Sequence, residues 1–157
     1  MSTITLSPAR MGDAPAIAQL SRELIESDLP WSWTPRRVAG LMRQRESAAI
    51  IARDSNRLAG FILAQYGDES VHIALLGVAA EYRRQGIGRR LIQWVEDTAT
   101  VAGLFLVRLE VRAIKRDARY FYASLGYRET DRMEGYYSGI EDAIKLSRDL
   151  RAVSCSK

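Results

Sequence analysis

At 157 residues, 47% hydrophobic and 27% charged, the chain has the size and mix of one globular domain with a real core. No apolar run is long enough to cross a bilayer, and the opening MSTITLSPARMGD lacks a signal-peptide apolar stretch, so a cytoplasmic protein without a membrane partner is expected. A net charge of +4 with no aromatic-interleaved basic stripe gives no reason to expect direct nucleic-acid binding, and the lone Cys155 rules out an internal disulfide. Thr3 to Leu6 alternates as an opening strand. Asp13 can cap a helix with Pro15 in its first turn and Ile17, Leu20, Leu24 and Ile25 as its stripe. Leu29 to Pro35 reads as a loop with two exposed tryptophans. Thr34-Pro35 then opens a second helix with Val38, Leu41 and Met42 inward.

Ala48 to Arg53 and Leu58 to Ala64 predict paired strands around a turn at Asp54-Ser55-Asn56, and Val71 to Val78 a strand near the sheet centre. After RRQGIG comes a helix with Leu91, Ile92, Val95, Ala99 and Ala102 on one face, opposite Arg90, Gln93, Glu96, Asp97 and Thr100; Gly103 ends it. Phe105 to Val111 is a strand, Asp117 to Leu125 a short helix closed by Gly126, and Ala143 to Ser147 a strand, with room for one more before it. The fold class is α+β: a mixed, mostly antiparallel sheet flanked by helices, with one strand–helix–strand crossover at the glycine turn. Residues 1–150 form a single domain, and 151–157 are a polar tail.

Arg83, Arg84, Gln85, Gly86, Ile87, Gly88 and Arg89 stand between a strand and a helix. Such a turn is either a tight connection or an anion cradle, because helix N-terminal amides lack partners and carry the dipole's positive end. The basic clusters there and at Arg112, Lys115, Arg116 and Arg119 are solvated helix starts or polyphosphate contacts. Neither a Gly-Lys-Ser/Thr loop nor GxGxxG is present.

In LEVR, Glu110 is a carboxylate within a strand that otherwise reads as central. It is therefore either a cross-sheet ion pair or a working group. Tyr122 shares a helix face with Ala118, Phe121 and Leu125 and reads from periodicity as core; Tyr120 and Tyr127 read as packing. Tyr136 and Tyr137 beside a glycine turn form a hairpin end or a substrate wall. His72 reads as structural, and no His/Cys/carboxylate group suggests a metal.

RRQGIG, LEVR, FYASLGY and YY-x-x-x-EDA, in that order over Val71 to Leu146, resemble the GNAT superfamily of N-acetyltransferases. The resemblance is to the bacterial ribosomal-protein-alanine (RimI-type) branch. It implies acetyl-CoA as co-substrate, with the pyrophosphate on Arg83 to Arg89 and backbone at Leu76, Gly77 and Val78 pairing with the pantetheine arm. It implies Glu110 as general base, direct or through water, and Tyr122 as the acid for the departing thiolate. Tyr136, Tyr137 and, from a short Pro30-Trp31-Ser32 match, Trp31 would line the acceptor site. The sequence departs from the family pattern at Ala80 (commonly Pro), Leu146 (commonly Met) and Lys115. Where the family commonly has asparagine, Lys115 offers a CoA phosphate only a point charge.

The expected activity is direct acetyl transfer to a primary amine, with a protein N-terminus as acceptor, a ribosomal protein among the candidates, by a monomer or homodimer. At pH 7 an α-amine of pKa about 7.8 is roughly 14% neutral against about 0.04% for a lysine, a gap of roughly 3.5 kcal/mol. One carboxylate hemmed by arginines suits the easier amine. A small-molecule amine acetyltransferase and a non-catalytic CoA-binding module are the alternatives.

Overall fold

The computed structural model describes residues 3–152, so Cys155 lies outside the described residues. The chain runs β1 (Ile4–Pro8), α1 (Ala14–Leu24), α2 (Pro35–Met42), β2 (Ser47–Asp54), β3 (Arg57–Tyr66) and β4 (Ser70–Val78). It continues through α3 (Ile87–Val101), β5 (Leu106–Arg112), α4 (Arg116–Ser124), β6 (Arg128–Tyr137) and β7 (Glu141–Asp149). The strands form one seven-stranded sheet in the order β1-β2-β3-β4-β5-β7-β6. Every neighbouring pair is antiparallel except β4–β5, which α3 joins as the expected crossover.

Alternation along the strands sends side chains to two cores. Ile50, Ile62, Ile73, Val107 and Leu109 meet Leu91, Ile92, Val95 and Ala99 of α3 and Tyr122 of α4. Ile51, Phe61, Leu63 and Leu75 meet Ala14, Ile17 and Ala18 of α1 and Val38 and Leu41 of α2.

Local signals act largely as predicted. The Thr34 hydroxyl accepts from the Arg37 amide at 3.3 Å with Pro35 opening α2, and Gly103 and Gly126 turn left-handed after α3 and α4. Asp13 differs: its carboxylate makes no cap bond to α1, but accepts from the Arg10 amide at 2.8 Å and pairs with Arg53 at 2.6 Å.

Glu96 is not on a solvent face. It is 6% exposed, accepting from the Tyr127 hydroxyl at 2.8 Å and from Arg148 at 3.0 Å, whereas Ala102 is exposed beyond the helix end. Tyr127 packs as read, but Tyr120 stands 79% exposed.

Candidate active site

The site begins with a break in the sheet. β4 and β5 pair only from Ser70↔Leu106 to Ile73↔Leu109, although both strands continue. Beyond that point a cleft of about 1820 Å³ lies between Leu75 to Val78 and Glu110 to Arg112, and it extends to the α3 N-terminus, α4 and the β6–β7 hairpin.

Glycines let backbone approach where side chains would block it. A Cβ on Gly77 would lie 2.8 Å from the buried Phe61 ring, and one on Gly88 would lie 3.1 Å from Phe121. The connection into α3 reverses through left-handed residues at Arg84 (φ +64°) and Gly86 (φ +76°), so the first amides of α3 open towards the cleft. Arg83, Arg84, Arg89, Lys115 and Arg116 line it, and none forms an ion pair among the described residues. Open amides with unpaired cations fit a polyanionic group. Gln85 does not line the cleft, and Arg90 turns away to donate to the Ile4 carbonyl at 3.2 Å. Arg119 is also spent elsewhere, forked onto Glu129 at 2.9 and 2.8 Å.

Glu110 sits at the head of the break, and its Oε1 is 2.6 Å from His72 Nε2. Burial pushes the Glu110 carboxyl up, but the His72 hydrogen bond and the charges of His72, Arg108 and Lys145 outweigh it and hold the carboxyl below the usual range. An ionised carboxylate only accepts, so His72 Nε2 carries the hydrogen in this pair. His72 is therefore a site residue, not the purely structural strand residue that the sequence alone suggests. The signal was present in its register, because His72 faces Arg108 across the parallel pair, one pleat from Glu110.

Arg112, expected beside Glu110, goes elsewhere. It forks onto Glu141 at 2.7 and 2.6 Å and donates to the Ile25 and Ser27 carbonyls at 3.1 and 2.9 Å. Of the EDA residues, Glu141 holds Arg112, and Asp142 receives the Gly135 amide and Arg132 at the β6–β7 hairpin.

Tyr122 lines the cleft, 6% exposed, and packs edge-on against Phe121 and Tyr127; burial, aided by Tyr137, pushes its phenol up. Tyr136 and Tyr137 stack edge-on at the hairpin and also face the cleft. Burial raises both phenols, and the Glu110 carboxylate adds to it.

On the α1–α2 loop both tryptophans are half-buried, not exposed. Trp31 packs into the core under Arg22 and does not line the cleft, whereas Trp33 does. Glu26, 7% exposed, shapes this loop by accepting from the Ser32 amide and hydroxyl and from the Trp33 amide.

Residues 23–143 match the family model described as Acetyltransferase (GNAT) domain. The chain belongs to the GNAT acetyltransferases. It is 31% identical over 135 residues to an uncharacterized N-acetyltransferase of Methanocaldococcus jannaschii, covering 85% of this chain and 84% of that one. It is 29% identical to the ribosomal protein bS18-alanine N-acetyltransferase of Salmonella typhimurium, over 91% and 95% of the two chains. The crystal structure of the Escherichia coli ribosomal-protein-S18-alanine N-acetyltransferase superposes with a TM-score of 0.82 at 25% identity, covering 99% of each chain.

As a GNAT acetyltransferase the chain is an acetyl-CoA-dependent N-acetyltransferase, and the resemblance carried by its motifs is borne out. The GNAT cleft gathers Glu110, Tyr122, Tyr136, Tyr137 and the glycine turn at one sheet break, though they come from four different elements. Among the described residues no helix is long and apolar enough to cross a membrane.

Proposed function

We propose that this acetyltransferase acetylates the α-amino group at protein N-termini. The observation that carries the reading is the Glu110–His72 pair at the sheet break, under the Tyr136–Tyr137 wall. A carboxylate held below its usual range is a weak base, and it suits an amine that is already partly neutral at pH 7 better than a lysine. The names of the Salmonella and E. coli proteins, which specify an alanine of a ribosomal protein, support the same acceptor class. A ribosomal protein in the cytoplasm is the corresponding specific proposal.

Acetyl-CoA supplies a thioester. Transfer forms an N–C bond, breaks C–S, removes one amine proton and delivers one to the thiolate. Arg83, Arg84, Gly86 to Arg89 and Lys115 hold the phosphates by charge and backbone amides, and Leu76 to Val78 offer strand backbone, unpaired on the β5 side, to an extended chain. Glu110, oriented by His72, draws the amine proton through water. Tyr122 stays protonated; because its phenol lies above a thiol's ordinary pKa of about 8.5, it steadies the leaving thiolate as a hydrogen-bond donor, and the proton the thiolate takes up comes from water. Tyr136 and Tyr137 wall the acceptor, and Trp33 rather than Trp31 adds the tryptophan face.

The test is acetyl-CoA turnover against free-N-terminus peptides, the same peptides blocked at Nα but carrying lysine, and small amines. Activity confined to free α-amines is expected. Products only on lysine or small amines would overturn the reading.

A further inference from the structure

Seven cations line the cleft, and their distribution is uneven. Arg83, Arg84, Arg89, Lys115 and Arg116 gather at the glycine turn and the start of α4, and Arg112 is committed to Glu141. Arg37, on α2, is the one left on the acceptor side. It shares that side with Trp33, Gln44, Gln65, His72 and Tyr136, and its charge is felt at the Tyr136 phenol that borders Glu110.

Arg37 is also pre-set. Its guanidinium carbon lies 3.8 Å from the centroid of the Trp33 ring, and its Nη1 makes only a long 3.5 Å contact with the Ser32 carbonyl. Stacking fixes the plane of the guanidinium and leaves its edge donors free. The platform is itself anchored, since the buried Glu26 accepts from the amides of both Ser32 and Trp33. Arg37 makes no ion pair among the described residues. The two carboxylates on this side are already occupied, Glu26 by the loop and Glu110 by His72. Arg108 and Lys145 add positive charge around Glu110. The acceptor mouth therefore attracts anionic side chains and repels cationic ones.

We propose that Arg37, stacked on Trp33, selects acceptor peptides that carry an aspartate or glutamate at the second or third residue. The inference rests on the α-amine acceptor proposed above.

Peptides sharing one N-terminal residue, with Asp, Ala or Lys at positions two and three, test it by kcat/KM. The native enzyme should favour Asp over Ala by about ten-fold, the size of one charge-assisted hydrogen bond at a part-exposed site, with Lys lowest. Added salt should shrink that ratio. R37Q should erase the acidic preference, and R37E should invert it towards the Lys peptide, a gain that misfolding cannot produce. Equal native rates on the three peptides, or an acidic preference surviving in R37E, would overturn the specificity claim and leave the α-amine reading standing. Acetylation of small amines with no free-N-terminus peptide accepted would overturn both.

Discussion

Arg112 offers the sharpest test of how the sheet and the acceptor loop are held together. Its side chain is 3% exposed, and its guanidinium makes four hydrogen bonds: two to Glu141 and one each to the Ile25 and Ser27 carbonyls. Replacing it with methionine keeps bulk and removes all four bonds, stranding a carboxylate and two carbonyls. Breaking a buried pair on one side costs about 3–5 kcal/mol; because Glu141 keeps 18% of its side chain in water, about 3 kcal/mol is the figure to expect. For a domain of this size that lowers Tm by about 6–12 °C.

Urea and thermal unfolding of native, R112M and R112K protein measure the loss, and R112K should recover little, since an ammonium cannot span both oxygens. The pH dependence has a definite sign. Arg112 holds the Glu141 carboxyl below the usual range, so its stabilisation is present above the unfolded value of about 4.3 and fades as pH falls through the lower folded value. The gap between native and R112M should narrow in acid, leaving the share owed to the Ile25 and Ser27 carbonyls. A loss under about 1 kcal/mol at pH 7, well short of the one-sided cost, would refute this account of the pair.

E110Q should lower kcat about 100-fold while acetyl-CoA affinity by calorimetry holds; equal losses in both would mean a packing role instead. H72A removes the main groups opposing burial at Glu110, so the Glu110 carboxyl followed by NMR should titrate at higher pH than in the native protein. G77A places a methyl 2.8 Å from the fully buried Phe61 ring and should cost about 2 kcal/mol by chemical denaturation. Phe61→Leu in the same chain should return part of that loss.

The parts of the fold that local chemistry dictates were legible in the sequence. Thr34-Pro35 starts α2, the Asp54 to Asn56 turn joins β2 and β3, and the stripe from Leu91 to Ala99 buries α3. The sequence does not decide β6, because RETDRMEGYY has no clean alternation. It is an edge strand paired on one side only and mostly exposed, so nothing selects an apolar face.

Glu96 misled because its partners, Tyr127 and Arg148, are 31 and 52 residues away, and a helical wheel cannot see them. His72 and Arg112 misled for the same reason in opposite directions. Register brings the first to Glu110, and a distant Glu141 takes the second away. Trp31 and Trp33 both pack against the core from one loop, where no periodicity tells which of them also lines the cleft.

The four-residue pairing of β4 with β5 also sets how the molecule comes apart. The seams on either side, β3–β4 and β5–β7, carry seven register pairs each. The sheet is thus perforated along its middle, with β1–β4 on one side of the line and β5–β7 on the other. Amide exchange should show the two halves parting there before either loses its own ladder. A ligand that offers amides along residues 74–78 acts as a missing rung. Heat or mechanical load then opens the empty protein through its own catalytic cleft, and occupancy of that cleft decides how much of either the protein withstands.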